Sequence, residues 1–446
     1  MKKIVLILTA FLLAFLTGCE GDSPDVSRPS VSSEPSEVSR DSSQASGPDT
    51  DAPRISVSGA VAVIKKGEEF DVMQGVSGYD GRDGDITGKI EINDGGFDAG
   101  TAGEYTVTYF LADNAGNAAD PAYRTIIVRE TDVFEAPPVY EGEIEGEAPA
   151  PEPPGVFGGA WYHKVVSSKD YWGGMEATVT LPEIKLARYD GEYDGTLPID
   201  PNAKNLDNPS VYLGGNADNE TDIGLSLSRV LVDAASQKLS TGCVAFRPFW
   251  RYITAADQDV GGYEAHNGEY AVSANGNNCI ANYHWKYTEY YYLPGDTLRV
   301  VLVSPAPDKL QLQIEVIEKS SLESSVAIRE QYGWKDPENF VSPVFTAPGF
   351  GTGMRAEYKR VNAIDQVANE GGTAIDTSTE VNGAVWHNTY LYREIDGTLY
   401  RVPMNADRSA VVNAPEEAAF TSSADAAESA VGGETVSIHP ATARNG

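Results

Sequence analysis

The side-chain types that carry most enzyme chemistry are sparse in this chain. Five histidines occur, His163, His266, His284, His387 and His439. None belongs to an HExxH pair or another close ligand spacing, so a zinc hydrolase lacks its ligand set. There is no GxSxG turn for a nucleophilic serine, no P-loop, and no GxGxxG after a strand. Carboxylates are plentiful, and a glycosidase needs two of them about 5–10 Å apart. Glu264, Glu289, Asp296 and Glu315 are candidates, but Glu315 and Glu318 do not share a strand face. A second possibility is the polar run Arg360 to Gly372, where Gln366 and Glu370 lie four residues apart. An amide beside a carboxylate can activate water. The simpler reading is a structured loop held by Asp365 and Asn369. Gln366, Glu370 and Glu315 are therefore weak catalytic candidates, and no catalytic residue is expected with any strength.

Two other sets are suited to holding a ligand. Asp80, Asp83 and Asp85 alternate, and Asp113 and Asn117 share a later turn. Calcium takes about six to eight oxygens, and extracellular sites are weak. These five are calcium candidates, although Asp-Gly and Gly-Asn pairs also simply make turns. No other metal or cofactor is expected. The second set is aromatic. All six tryptophans lie between residues 156 and 404. Trp250 and Tyr252 follow Cys243, while Tyr263, Tyr283, Trp285 and Tyr290 surround Cys279, with Asn278 in an asparagine-rich stretch. An aromatic face stacks on the C–H groups of a sugar while amides and acids fix its hydroxyls. The alternative is that these rings are core.

The first twenty residues set the compartment. Lys2 and Lys3 precede the apolar run Ile4 to Leu16, which is short for a membrane span. Leu16-Thr17-Gly18-Cys19 follows. This resembles a bacterial lipobox, in which the cysteine thiol takes the lipid and becomes the new amino terminus. The resemblance implies that residues 1–18 are a signal peptide, that Cys19 is lipidated, and that the protein sits on the outer face of the bacterial membrane. An acylated terminus gains about 0.8 kcal/mol per buried methylene. Export leaves Cys243 and Cys279 as an even pair, either a disulfide or two buried thiols. If bridged, their loop stabilises by about 3–4 kcal/mol.

Charge and composition divide the rest. Lys+Arg number 33 and Asp+Glu 66, a net charge of −33. A phosphate backbone needs a basic footprint, so nucleic acid is excluded as a partner. Residues 19–53 are Ser, Pro and acid with almost no apolar side chain, and read as a disordered tether. Residues 130–155 form a Pro/Glu-rich linker, extended by proline and self-repulsion. Residues 405–446 read as a loose Ala/Ser-rich tail with a terminal strand at Thr435 to Ile438.

Between these lie two units rich in strand signals. In residues 54–129, Tyr105, Val107, Tyr109 and Leu111 alternate with polar positions, and glycines 75, 78, 81 and 84 punctuate turns. Gly78-Tyr79-Asp80-Gly81-Arg82-Asp83-Gly84-Asp85-Ile86-Thr87, Gly103-Glu104-Tyr105-Thr106-Val107 and Asp113-Asn114-Ala115-Gly116-Asn117 resemble the immunoglobulin-like domains of bacterial surface proteins. That resemblance implies a β-sandwich acting as spacer or adhesion module, without catalysis. Residues 156–404 carry strand patterns at 177–181, 210–213, 223–231, 297–304 and 310–318, and one helix over 321–332. Val211-Tyr212-Leu213-Gly214-Gly215, Asp222-Ile223-Gly224-Leu225 and Phe246-Arg247-Pro248-Phe249-Trp250 resemble concanavalin-type jelly rolls in strand rhythm. A Gln and a Glu on such a scaffold are also similar to the glutamic peptidases.

The expectation is an all-β chain. An immunoglobulin-like β-sandwich is followed by a larger jelly-roll or β-sandwich domain, joined by disordered linkers. Its expected role is a lipid-anchored surface protein that binds an extracellular ligand, foremost a glycan, or a surface protein. A hydrolase of glycosidase or glutamic-peptidase type and a structural envelope protein are the alternatives.

Overall fold

The computed structural model describes residues 48–443, apart from 58–59, 130–132, 156–157, 187–205, 219, 234–237, 256–257, 260–269, 276–277, 284–286 and 368–370. No side chain is described at 206, 228–244, 253–286, 367 or 442–443. Cys19 and the lipobox lie outside the described residues.

Seven strands form the first unit: β1 Arg54–Val57, β2 Val61–Lys65, β3 Val76–Asp80, β4 Gly84–Asp85, β5 Glu91–Asn93, β6 Gly103–Phe110 and β7 Ala122–Arg129. They pair as β1-β3-β4 and β2-β7-β6-β5, with β2 parallel to β7. The strand period of two does the sorting. On β6, Val107 and Tyr109 are fully buried while Glu104 and Phe110 face water. Ile64, Val76, Ile126 and Val128 complete the core. Arg124 is buried among them because its guanidinium donates to the carbonyls of Val72 (3.0 Å) and Gln74 (2.7 Å). Gly78 lets Leu111 pack close: a Cβ there would lie 2.7 Å from Leu111 Cδ2 and push that side chain aside.

The second unit begins with β8 Ala160–Ser167, β9 Gly174–Thr180, β10 Glu183–Lys185, β11 Leu206–Asn216, β12 Glu220–Asp233 and β13 Lys238–Ala255. It continues through β14 Gln258–Asp259, β15 Tyr270–Asn275, β16 Asn278–Tyr283, β17 Thr297–Val303, β18 Lys309–Glu318 and helix α1 Glu323–Tyr332. Then come β19 Phe340–Val341, β20 Phe345–Thr346, β21 Glu357–Val367, β22 Glu380–Ile395, β23 Thr398–Pro403, β24 Ser409–Ala414, β25 Phe420–Ser423 and β26 Glu434–Ile438. One sheet runs β19-β18-β17-β9-β22-β26-β25, and the other β15-β16-β13-β12-β11-β21-β8-β24. Val179, Leu298, Leu312 and Trp386 from the first meet Leu213, Leu225, Trp250 and Tyr358 from the second in one core. Helix α1 ends at Gly333, which takes the left-handed φ of 64° and donates back to the carbonyls of Arg329 and Glu330.

Two expectations are corrected here. Residues 405–443 are not a loose tail, although the expected terminal strand is there as β26. β24 pairs with β8, and β26 pairs with β22, with Val436 and Ile438 fully buried. The segment's small and acidic residues carry little strand propensity, so pairing with β8 and β22 decides its structure. Linker residues 133–155 are irregular, and they are seated on the second unit. Val133 packs with Val301, Val303 and Tyr392. The Phe134 N–H donates to Gln313, and its carbonyl accepts from Arg299. Further along, Tyr140 N–H donates to the Arg401 carbonyl, and Ala148 N–H to Asp170. This explains why Gln311 and Gln313, on the polar face of β18, are buried.

Candidate functional site

The sheet containing β11, β12, β13 and β21 has two unlike faces. On β12, Ile223, Leu225 and Leu227 enter the core, so Asp222, Gly224 and Ser226 take the outer face. On β11 the same alternation sends Val211 and Leu213 inward and Ser210, Tyr212 and Gly214 outward. Strand register then aligns these outer residues in rows. One row runs Arg251, Asp222, Gly214, Lys359, and the next runs Phe249, Gly224, Tyr212, Val361, Lys164. A third runs Arg247, Ser226, Ser210, Ala363, Tyr162.

Glycines shape this face. A Cβ on Gly214 would lie 2.7 Å from Lys359 Cε, and one on Gly224 2.6 Å from Tyr212 Cα. Their absence of side chain lets Lys359 cross β11 to reach Asp222 Oδ1 at 2.6 Å and to contact Glu220. Arg251 stands 3.9 Å from the other Asp222 oxygen. Tyr212 packs edge-on to Phe249, with centroids 5.8 Å apart, and Lys359 Nζ lies 5.9 Å from the Tyr212 ring centre. Asn208 donates to Ser226 (2.7 Å), and Ser210 to Asp365 (2.5 Å). Hydroxyl, amide, carboxylate and ammonium groups thus flank a half-buried ring.

The electrostatics follow from these neighbours. Burial opposes the Lys359 charge, but Asp222 and then Glu220 outweigh it and hold its pKa above the ordinary lysine value. Burial likewise opposes ionisation of Asp222, and Lys359 and Arg251 reverse that and lower its pKa. At Lys164, burial and the charge of Lys359 push the pKa down and outweigh the opposing pull of Glu220, Asp222 and Glu357. Burial, followed by the Asp222 charge, raises the Tyr212 phenol well above its usual value, so it stays a hydrogen-bond donor.

The residues singled out from sequence fare differently. Trp250 and Tyr252 are corrected: both face the core, at 0% and 3% exposure, because their register partners Ile223 and Thr221 face it too. Tyr290 is half-buried against Phe340 (centroids 5.3 Å). Tyr263 and Trp285 lie outside the described residues, as do the side chains of Tyr283, Asn278, Cys243 and Cys279. The ladder between β13 and β16 pairs Arg251 with Ile280, the neighbour of Cys279, while Cys243 lies well back along β13. A disulfide is not shown.

Of the catalytic candidates that are described, Gln366 and Glu315 stand on different sheets. Gln366 sits opposite Asp207 on β11 and faces inward, donating to the carbonyl of Ile375 (2.7 Å) and accepting from its N–H (2.6 Å). Glu315 pairs with Arg299 at 3.1 Å on the other sheet. Glu370 lies outside the described residues. A further cleft of about 690 Å³ opens over β9, β17 and β22, with Thr178, Thr180, Thr297, His387, Glu183 and Glu318 in its lining. Among the described residues its only ring is the His387 imidazole, bonded to Thr180 Oγ1 at 2.8 Å.

Sequence reading missed Tyr212, Asp222 and Lys359. The available signal was glycine inside strands, at 214 and 224, between apolar residues of period two.

Comparison with known proteins places the first unit in a class. Residues 55–128 match the family described as bacterial surface protein, Ig-like domain. No curated protein matches the chain. Solved structures similar to it include scytalido-glutamic peptidase with a peptide-based transition-state analog, at 6% identity and TM-score 0.33, covering 63% of this chain and 98% of that one. The lipoprotein BT2262 from Bacteroides thetaiotaomicron is similar at 12% identity and TM-score 0.17, covering 70% and 98%. The CBM51-2 and INT domains of Clostridium perfringens ZmpB, in complex with GlcNAc, are similar at 18% identity and TM-score 0.18, covering 37% and 36%. Overlaps this distant carry no function across. Among the described residues no helix is long and apolar enough to cross a membrane.

Proposed function

We propose that this is a bacterial cell-surface protein that binds a glycan on the outer face of its larger β domain. The carrying observation is the strip around Tyr212. Half-buried Tyr212, edge-on to buried Phe249, lies among fixed donors and acceptors that pack close because Gly214 and Gly224 carry no side chain. A sugar ring needs this combination: an apolar face for its C–H groups, and polar groups already held in place. Asp222, Lys359 and Asp365 are held by neighbours, so they offer hydroxyl-binding geometry without reorganisation. The surface-type immunoglobulin-like unit supports exposure to environmental polysaccharide, and the Cys19 lipobox supports anchorage through lipid. Nucleic acid remains unsuited, given the net charge of −33.

A glycan array probed with the lipid-free chain tests the reading. Specific signals for one sugar class, lost in Tyr212→Ala, are expected. A blank array, or signals unchanged in that variant, contradicts it.

A further inference from the structure

Three carboxylates from separate segments meet at one end of the immunoglobulin-like unit. Asp49 belongs to the end of the tether, Asp80 closes β3, and Asp113 opens the turn after β6. One oxygen from each lies within 4.8 Å of the other two. Turn formation explains much of the local acid. Asp80 Oδ1 accepts the N–H groups of Arg82 (2.7 Å) and Asp83 (2.8 Å). Asp83 accepts from Asn114 N–H (2.7 Å), and Asp85 from Thr87 N–H (2.9 Å). These bonds assign Asp83 and Asp85 to the loops themselves.

They do not explain the second oxygen of Asp80. That residue is 2% exposed, and Oδ2 is buried with no hydrogen-bond partner among the described residues. A buried charged oxygen without a donor is costly and calls for a partner. With Oδ1 saturated, Oδ2 is the oxygen left for the cluster. Asn117 holds the other two acids in position: its amide donates to Asp113 Oδ2 (2.7 Å) and to the Asp49 carbonyl (3.2 Å). Arg82 Nε stands 3.5 Å from Asp49 Oδ1, at the rim. The N–H groups of Asp83 and Arg82 lower the Asp80 pKa, so it stays ionised despite its neighbours.

We propose that Asp49, Asp80 and Asp113 bind one calcium ion, which fastens the end of the tether to the immunoglobulin-like unit. The donors are all hard oxygens, with no nitrogen or sulfur among them, which suits calcium over a transition metal. Three formal negative charges match a divalent cation, and water or carbonyls complete the shell. Because Asp49 comes from the tether, binding couples ion to stalk: the tether leaves the unit in one direction when the ion is present.

Calorimetric titration of the lipid-free chain with calcium chloride tests this. A Kd of about 10⁻⁴–10⁻³ M is expected, the range of extracellular modules. Asp49→Asn is expected to weaken it about tenfold or more, because affinity follows ligand charge, while melting with the wild type in EDTA. Asp83→Asn is expected to bind within about twofold of wild type. Calcium is also expected to slow proteolytic cleavage between residues 45 and 53. Absence of calcium binding, equal affinity in Asp49→Asn, or magnesium binding as tight as calcium would overturn the assignment.

Discussion

Among single residues, Glu434 shows how this domain uses charge inside a sandwich. It accepts from His163 Nε2 at 2.9 Å and pairs with Arg360, whose guanidinium lies 5.2 Å from the Trp386 ring centre. Trp386 in turn donates to Asn362 at 2.6 Å. Burial opposes the Glu434 charge, but Arg360 and His163 dominate and lower its pKa to about 2. The sign follows. A carboxylate with a depressed folded pKa stabilises fully above its unfolded value, and that stability drains as pH falls toward the folded one. Glu434 is thus expected to contribute on the order of 3 kcal/mol at neutral pH, lost between about pH 5 and 2. Glu434→Gln leaves Arg360 buried without its countercharge and should cost about 3–5 kcal/mol at pH 7. Urea unfolding at pH 7 and pH 2.5 checks both, with the gap between wild type and variant narrowing in acid. A constant gap would contradict the assignment.

At the scale of elements, much was legible, for a definite reason. Alternating sequences announce strands, so β6, β12 and β18 fall where the patterns of Val107, Leu225 and Leu312 place them, while β17, buried on both faces, shows as the near-continuous apolar run Leu298 to Val303. The one helix expected, over 321–332, coincides with α1 at Glu323–Tyr332. Facing was less legible. Trp250 looked like a ligand platform because one strand does not reveal which face meets the partner sheet; that depends on register with Ile223 across the ladder. Gln366 was misread for the same reason, since its neighbour Asp365 is the residue that faces outward. Least legible was the linker, whose acid and proline gave no hint that Val133 and Phe134 would cover β17 and β18. A consequence can be measured. A fragment starting at residue 156 bares Val301, Val303 and Gln313, whereas one starting at residue 131 does not. The shorter fragment should be less stable by about 2–4 kcal/mol in urea. Equal midpoints would show that the linker merely rests there.

On the scale of the whole molecule, the parts form a sequence along the chain: tether, surface-type immunoglobulin-like unit, seated linker, and a large sandwich bearing the Tyr212 strip. The anchor has its own test. Cys19→Ala is expected to move the protein from the membrane fraction to the medium or to an unprocessed precursor; mature protein still firmly membrane-bound would refute lipidation at Cys19. The central claim is glycan capture by the outer face of the β11–β13 and β21 sheet. It is tested most directly by calorimetric titration of the lipid-free chain with the array's strongest sugar, comparing wild type, Tyr212→Ala and Tyr171→Ala. Tyr171 is 51% exposed and carries Arg355 and Arg393 over its ring, so it serves as an exposed-ring control. The account predicts that Tyr212→Ala weakens binding about tenfold or more, a loss of about 1.4 kcal/mol, and that Tyr171→Ala leaves it unchanged. Equal affinity in Tyr212→Ala and wild type would contradict it.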